Sequence, residues 1–202
     1  MRLSHTVRLN SAGRYATGVL TTGSMDPVTD RAGFIITAAH FLHGPAAVIR
    51  VRNQTYSGTA NRHLAIFGTD IAVLRLNGHA PTMKLPGMAT DTLRIGHSTL
   101  TTGFGGQPRG LAPKELHGRV ITAIPGNVSR NRITRVRHGA LVLNAPDRAI
   151  RGDSGGPVLK DGIVYAIQSM ITDPLGFNTG LATVAQVGPF LPEIQWAMDQ
   201  LR

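Results

Sequence analysis

Ser154 lies in RGDSGGPVLK, residues 151–160, with Gly152, Gly155 and Gly156 around it and Asp153 immediately before it. A serine hydroxyl is a poor nucleophile until a base takes its proton, and that base needs an acceptor to orient it. A histidine and a carboxylate must therefore come from elsewhere in the chain. Among the eight histidines His40 stands apart, because it closes GFIITAAH. There an apolar strand is followed by two small residues, which let the ring stand close to neighbouring backbone. Asp70 opens TDIAVLRL, a segment of clean alternation. Its carboxylate is expected at a strand entrance, where burial is costly unless a group such as an imidazole N–H pairs with it. Together the three residue types could perform nucleophilic acyl transfer. Taken alone, the Gly-Asp-Ser-Gly run reads as an ordinary turn. His40 and His43 have a spacing that would suit a metal, but no third ligand is evident, so neither metal nor cofactor is expected.

The elements that must hold these groups are mostly strands. Period-two segments recur as HTVRL, RYATGVLTT, GFIITAAH, AAVIRVRN, TDIAVLRL, STLTTGF, GRVITAI, NRITRVRH, ALVLNA, GIVYAIQSMI and TGLATVAQV. Gly, Pro, Asn or Asp clusters separate many of them. Only the end, LPEIQWAMDQLR, has a helical pattern, with Ile194, Ala197, Met198 and Leu201 on one face and Pro192 in the first turn. About ten to twelve strands and one terminal helix imply a closed or sandwiched all-β fold. The turn-rich stretch GQPRGLAPKE, residues 106–115, is either the link between an N-terminal unit, 1–105, and a C-terminal unit, 106–202, or one long surface loop.

The order His40, Asp70, Ser154 and the three contexts TAAH, DIAVLRL and GDSGGP resemble the chymotrypsin-like serine proteases, the trypsin family in the broad sense. TTGFGG at 101–106 is similar to that family's Thr-Gly-aromatic-Gly segment, and the resemblance runs from about residue 15 to 190. It implies two six-stranded antiparallel β-barrels with a C-terminal helix, His40 and Asp70 on the first barrel and Ser154 on the second. It further implies a serine endopeptidase working through an acyl-enzyme, with the N–H groups of Gly152 and Ser154 as the oxyanion hole. The pocket for the residue before the scissile bond (P1) would be walled by Arg148, Ala149 and Arg151, by Ser169, Met170 and Ile171, and by Gly180. Arg148 stands where trypsin-like members carry a pocket-floor aspartate, so cleavage after Lys or Arg is not expected; acidic and small apolar P1 residues both stay open. The family's activating Ile-Val-Gly-Gly tetrapeptide does not occur in the sequence, so Asp153 needs another partner if buried. Arg94 and His97 are the candidates that resemblance to some bacterial members offers, although the preferred reading of both is as solvent-facing strand residues.

The 202 residues carry 21 Lys+Arg against 11 Asp+Glu, a formal charge of +10 that favours anionic partners without bearing on the fold. Arg130, Arg132, Arg135 and Arg137 concentrate it in SRNRITRVRH, where a regular strand would put Arg130 and Arg132 on one face and Arg135 and Arg137 on another. With 5% aromatics, base stacking is not expected. A solvated face is the commoner meaning of such a run; the partners expected are a protein or peptide substrate and, as the alternative use of those arginines, an anionic molecule. The rival to an enzyme is a silent or regulated protease-fold module that binds such a partner. The absence of cysteine excludes disulfides and thiolate metal sites. No apolar run approaches the ~18 residues of a membrane span. MRLSHTVRLN has no apolar segment behind its basic residues, which is unlike a signal peptide and points to the cytoplasm.

Overall fold

The computed structural model describes residues 4–43, 48–130, 132–173 and 177–202. Its first eight strands are β1 (Thr6–Ser11), β2 (Arg14–Thr21), β3 (Val28–Arg31), β4 (Phe34–Thr37), β5 (Ile49–Arg52), β6 (Ser57–Ala65), β7 (Ala72–Leu76) and β8 (Thr82–Leu85). The remaining seven are β9 (Gly87–Met88), β10 (Ser98–Gly103), β11 (Lys114–Val128), β12 (Arg135–Asn144), β13 (Pro157–Lys160), β14 (Ile163–Ile171) and β15 (Leu181–Gln186). One α-helix, α1, spans Leu191–Leu201.

Strands β1, β2, β4, β7, β6 and β5 close on themselves in that order. Closure removes free edges, so inward residues can be apolar without risk of edge pairing. Strict alternation marks β5, where Ile49 and Val51 are buried and Arg50 and Arg52 exposed. Val7, Leu9, Ile35 and Leu74 fill the interior. The second barrel runs β13-β10-β11-β12-β15-β14 and is closed by pairing of β13 with β14, with the short β9 added parallel to β14. Val120, Val142, Val158 and Val184 lie inside it. All ladders of both barrels are antiparallel, so the two six-stranded barrels and C-terminal helix expected from the sequence are present.

A larger apolar cluster lies between the barrels. It joins Val19, Ile36 and Val73 of the first to Val136, Ile167 and Ala185 of the second. The helix completes it with the face anticipated from its spacing, since Ile194, Ala197, Met198 and Leu201 are all buried. Gln195 Nε2 donates to the Gly23 carbonyl at 2.6 Å, and Arg62 donates to the Gln200 carbonyl at 3.1 Å, so α1 is tied back onto the first barrel. No helix among the described residues is long and apolar enough to cross a membrane.

Several sequence expectations need correction. The strand Ser98–Gly103, placed in a 1–105 unit, pairs with β11 and β13 and so belongs to the second barrel. Residues 106–113 thus lie in the loop from β10 into β11, in line with the surface-loop reading, and Lys114 and Glu115 already belong to β11. The RVRH end of NRITRVRH and the ALVLN of ALVLNA belong to one strand, β12 (Arg135–Asn144), within which His138 has a left-handed φ of 49°. Arg130 and Arg132 fall in the turn before β12 rather than on a strand face, and Asn131 lies outside the described residues. So do Ala46 and Ala47, the first two residues expected in AAVIRVRN. Strand β6 was not anticipated because SGTANRHLA has only one fully buried position and no apolar alternation.

His5, just before β1, has its Nε2 buried with no hydrogen-bond partner among the described residues. Burial pushes its pKa down from 6.5 to about 4. An unfolded chain takes up this proton near the ordinary value, whereas the folded chain resists it until about pH 4, so folding stability drains away as pH falls through that window. The expected loss is up to about 3 kcal/mol. Urea unfolding of His5→Phe and the parent chain at about pH 7 and about pH 4.5 checks this, and the variant should lose markedly less on acidification.

Candidate active site

Asp70 follows a tight turn after β6, in which Gly68 has φ of 83° and the Ile66 N–H donates to the Ile71 carbonyl at 2.9 Å. Its side chain is 2% exposed, which demands partners for both oxygens. The His40 backbone N–H donates to Oδ1 at 2.8 Å, and His40 Nδ1 meets Oδ2 at 2.7 Å. The Ser169 hydroxyl also donates to Oδ2. His40 sits in a 3-10 turn, Ala39–Leu42, straight after β4. Because Asp70 is an acceptor, the proton of a neutral ring belongs on Nδ1 and leaves Nε2 as the basic nitrogen.

Ser154 lies in the loop from β12 to β13. Gly152 and Gly155 adopt φ of 104° and 85°, values that side chains rarely tolerate. Space forbids side chains there as well. A Cβ at Gly152 would enter the Tyr15 ring, and one at Gly155 would enter the Thr17 carbonyl and the Thr37 hydroxyl. The loop is pinned from the first barrel: Thr17 N–H donates to the Ser154 carbonyl at 2.8 Å and Thr17 Oγ1 to the Gly152 carbonyl at 2.7 Å. Tyr15 adds a hydroxyl bond to the Arg151 carbonyl at 3.1 Å. Among the described residues the N–H groups of Gly152 and Ser154 donate to no other protein group. Among the described residues the Ser154 hydroxyl makes a single long contact, 3.4 Å, to the Ser169 carbonyl.

His40 and Ser154 share a cavity of about 670 Å³, with Asp70 behind the imidazole. Of the residues expected to bind substrate, Arg151, Ser169, Met170 and Ile171 line it. Arg148, Ala149 and Gly180 do not. Arg148 is exposed, donates to the Asn178 carbonyl and lies 5.5 Å from the Phe177 ring centre. Ala149 is packed with Leu116 and Ala182, and Gly180 is buried. Of the four arginines, Arg130 lines the cavity and Arg137 lies over Gly68. Such an arrangement of hydroxyl, imidazole and buried carboxylate is suited to acyl transfer.

The Trypsin family model matches residues 5–190. The chain belongs to the trypsin family. Among curated trypsin-family relatives, the snake venom serine proteases NaSP of Naja atra and BmSP of Bungarus multicinctus are each 26% identical over 188 residues, 79% of this chain and 62% of theirs. The chain thus spans about 62% of the length of these relatives. Among solved structures, the active form of the Rv3671c protease of M. tuberculosis aligns with TM-score 0.73 at 16% identity, over 96% of this chain and 80% of that one. Kallikrein-related peptidase 10 in complex with Zn2+ aligns with TM-score 0.72 at 16% identity, over 97% and 96%.

Within this trypsin-family frame Asp153 finds its bonding partners, among the described residues, in backbone amides rather than in a cation. Arg94 and His97 do not reach it; the Arg94 N–H instead meets His97 Nδ1 at 3.2 Å on the surface. The Asp153 carboxylate is held by backbone: Gly105 N–H donates to Oδ1 at 2.7 Å and Ile150 N–H to Oδ2 at 2.9 Å. Burial pushes its carboxyl up, while the two amides and Lys114 pull the other way. A Cβ at Gly103 or Gly105 would enter the carboxylate. These two glycines, visible as TTGFGG, are functional positions whose reason the sequence alone did not reveal. Thr17 gave no signal at all.

Thr17→Val should cost about 2–4 kcal/mol, because it strands the Gly152 carbonyl and the Phe104 N–H, which donates to Thr17 Oγ1 at 3.0 Å. Thr17→Ser keeps the hydroxyl and should retain most of that stability. Urea denaturation of both variants beside the parent provides the comparison.

Proposed function

We propose that the chain is a serine endopeptidase that cuts proteins or peptides through an acyl-enzyme. The observation that carries this is Asp70, a buried carboxylate gripping both N–H groups of His40, with the rest of that ring facing the cavity of Ser154. Ser154 Oγ attacks the peptide carbonyl carbon as its proton passes to His40 Nε2. The imidazolium so formed is stabilised and held in place by Asp70. Negative charge gathers on the former carbonyl oxygen, which the free N–H groups of Gly152 and Ser154 would receive; a single donor of this kind supplies about 3–4 kcal/mol. Collapse breaks the C–N bond while His40 hands its proton to the leaving amine. Water then repeats the sequence against the ester, releasing the acid and restoring the serine.

Substrate would lie extended on β14. Beyond Ile167, the last residue of β14 paired with β13, the Ser169–Ile171 edge faces the cavity. An added strand satisfies its own backbone there, as in other β-augmentation. The outward course of Arg148 favours a small apolar P1 residue, since its guanidinium is spent on Asn178 and Phe177. The rival reading, a silent module for an anionic partner, has no specific observation in its favour.

Ser154→Ala should lower kcat by around 10⁶-fold and abolish labelling by a fluorophosphonate, with unfolding unchanged. Equal turnover by a clean preparation of the variant would overturn the mechanism. A peptide library should show small apolar P1 residues preferred, Lys and Arg poorest, and an identical profile for Arg148→Ala; efficient cleavage after Lys or Arg refutes this assignment.

A further inference from the structure

The hairpin of β11 and β12 is longer than the barrel needs. Strand β10 covers β11 only as far as Arg119, and β15 covers β12 only from Gly139 onward. The pairs Gly126 with Arg137, Asn127 with Val136 and Val128 with Arg135 therefore form a two-stranded ribbon projecting past the barrel. A lone ribbon of this kind is marginal in water. This one is anchored. Val136 is fully buried in the cluster between the barrels, and Arg137 packs over Gly68, beside the turn that delivers Asp70. Asn127 Nδ2 also donates to Thr183 Oγ1 at 2.8 Å. The turn is fastened by the Ser129 N–H to the Thr134 carbonyl, 2.9 Å, and by the Thr134 N–H to Ser129 Oγ, 2.9 Å.

That fastened turn reaches the cavity of Ser154. Ser129, Arg130 and Thr134 line it together with Met170 and Ile171. The ionisable side chains lining it are His40, Arg130 and Arg151 against the single carboxylate of Asp173. A peptide added antiparallel to β14 runs from Ile171 back toward Ser154, so the residues near Ile171 precede the scissile bond. Alternate side chains of an extended segment point to opposite sides, which turns some of them from β14 toward the ribbon.

We propose that the ribbon tip is a subsite for an acidic side chain upstream of P1, with Arg130 as its specificity-determining residue and Arg151 adding to the same field. This rests on the peptidase reading. A guanidinium matches a carboxylate with paired N–H donors, and the anchored ribbon lowers the cost of holding it there. Small apolar P1 and acidic upstream residues are separate demands, met by different walls of one cavity.

The test is a set of peptides with one P1 residue and Glu, Ala or Lys at each of the three preceding positions, turned over by the parent, Arg130→Ala and Arg130→Glu. At one of those positions the parent should prefer Glu over Ala by about tenfold in kcat/KM, as expected for one charge-assisted contact. Arg130→Ala should erase that preference, bringing the Glu:Ala ratio of kcat/KM to about one, and Arg130→Glu should shift it to Lys. Fluorophosphonate labelling of all three chains runs in parallel. Equal labelling with a preference that neither substitution moves, or with no preference in the parent, overturns the subsite alone. Failure of the parent to label or to cut any peptide overturns the peptidase reading and the subsite with it.

Discussion

Thr17 holds the serine loop to the first barrel. It is fully buried, and its N–H, its carbonyl and both roles of its hydroxyl are engaged. The N–H and the hydroxyl hold the carbonyls of Ser154 and Gly152, while the hydroxyl oxygen accepts from Phe104 and the carbonyl accepts from Thr37 at 2.6 Å. Thr37 ends β4, and His40 follows three positions later. One pair of adjacent strands, β2 and β4, therefore presents the imidazole and grips the serine loop that comes from the other barrel. Relative placement of two groups on separate barrels is normally the loosest quantity in such a fold, and an error near 1 Å is costly to acyl transfer. Here a few short bonds from the backbone and hydroxyl of one residue help to set it.

A second constraint acts from behind the loop. Asp153 is a buried acid with no cation bonded to it among the described residues, an arrangement that is destabilising unless neutral donors replace water. Two amides do so, and the close approach they require is why residues 103 and 105 lack side chains. Charge-assisted bonds of this kind are short and directional, so they shape the segment from Ile150 to Ser154 as well as solvating the carboxylate. The serine loop is thus held from the front by a threonine and from the back by its own aspartate.

Much of this was legible in the residues. His40, Asp70 and Ser154 carry local signatures that survive without neighbours: a strand ending in small residues, a strand-opening acid, a glycine-bracketed hydroxyl. The inward faces of β1, β4, β5 and β7 follow from alternation. What escaped depends on partners far apart in sequence. Thr17 lies in RYATGVLTT, indistinguishable from any strand threonine until Gly152 is folded against it. Strand β6 carries polar residues on both faces and offers no period to read. Arg148 occupies the position that resemblance ties to the pocket floor, but Phe177 and the Asn178 carbonyl draw its guanidinium outward. Pattern fixes which face a strand residue takes; it says little about where a long flexible cation comes to rest.

The apolar cluster between the barrels has a consequence for how the molecule comes apart. Val19, Ile36, Val73, Val136, Ile167 and the inner face of α1 belong to one continuous core, so neither barrel keeps its largest apolar surface covered without the other. Melting one half exposes the seam of the second and removes the helix that seals both. Such a shared core is expected to melt as one cooperative unit, in a single heat-absorption peak, with slowly exchanging amides along the seam. Two separately produced halves would be sticky fragments, each seeking the missing face.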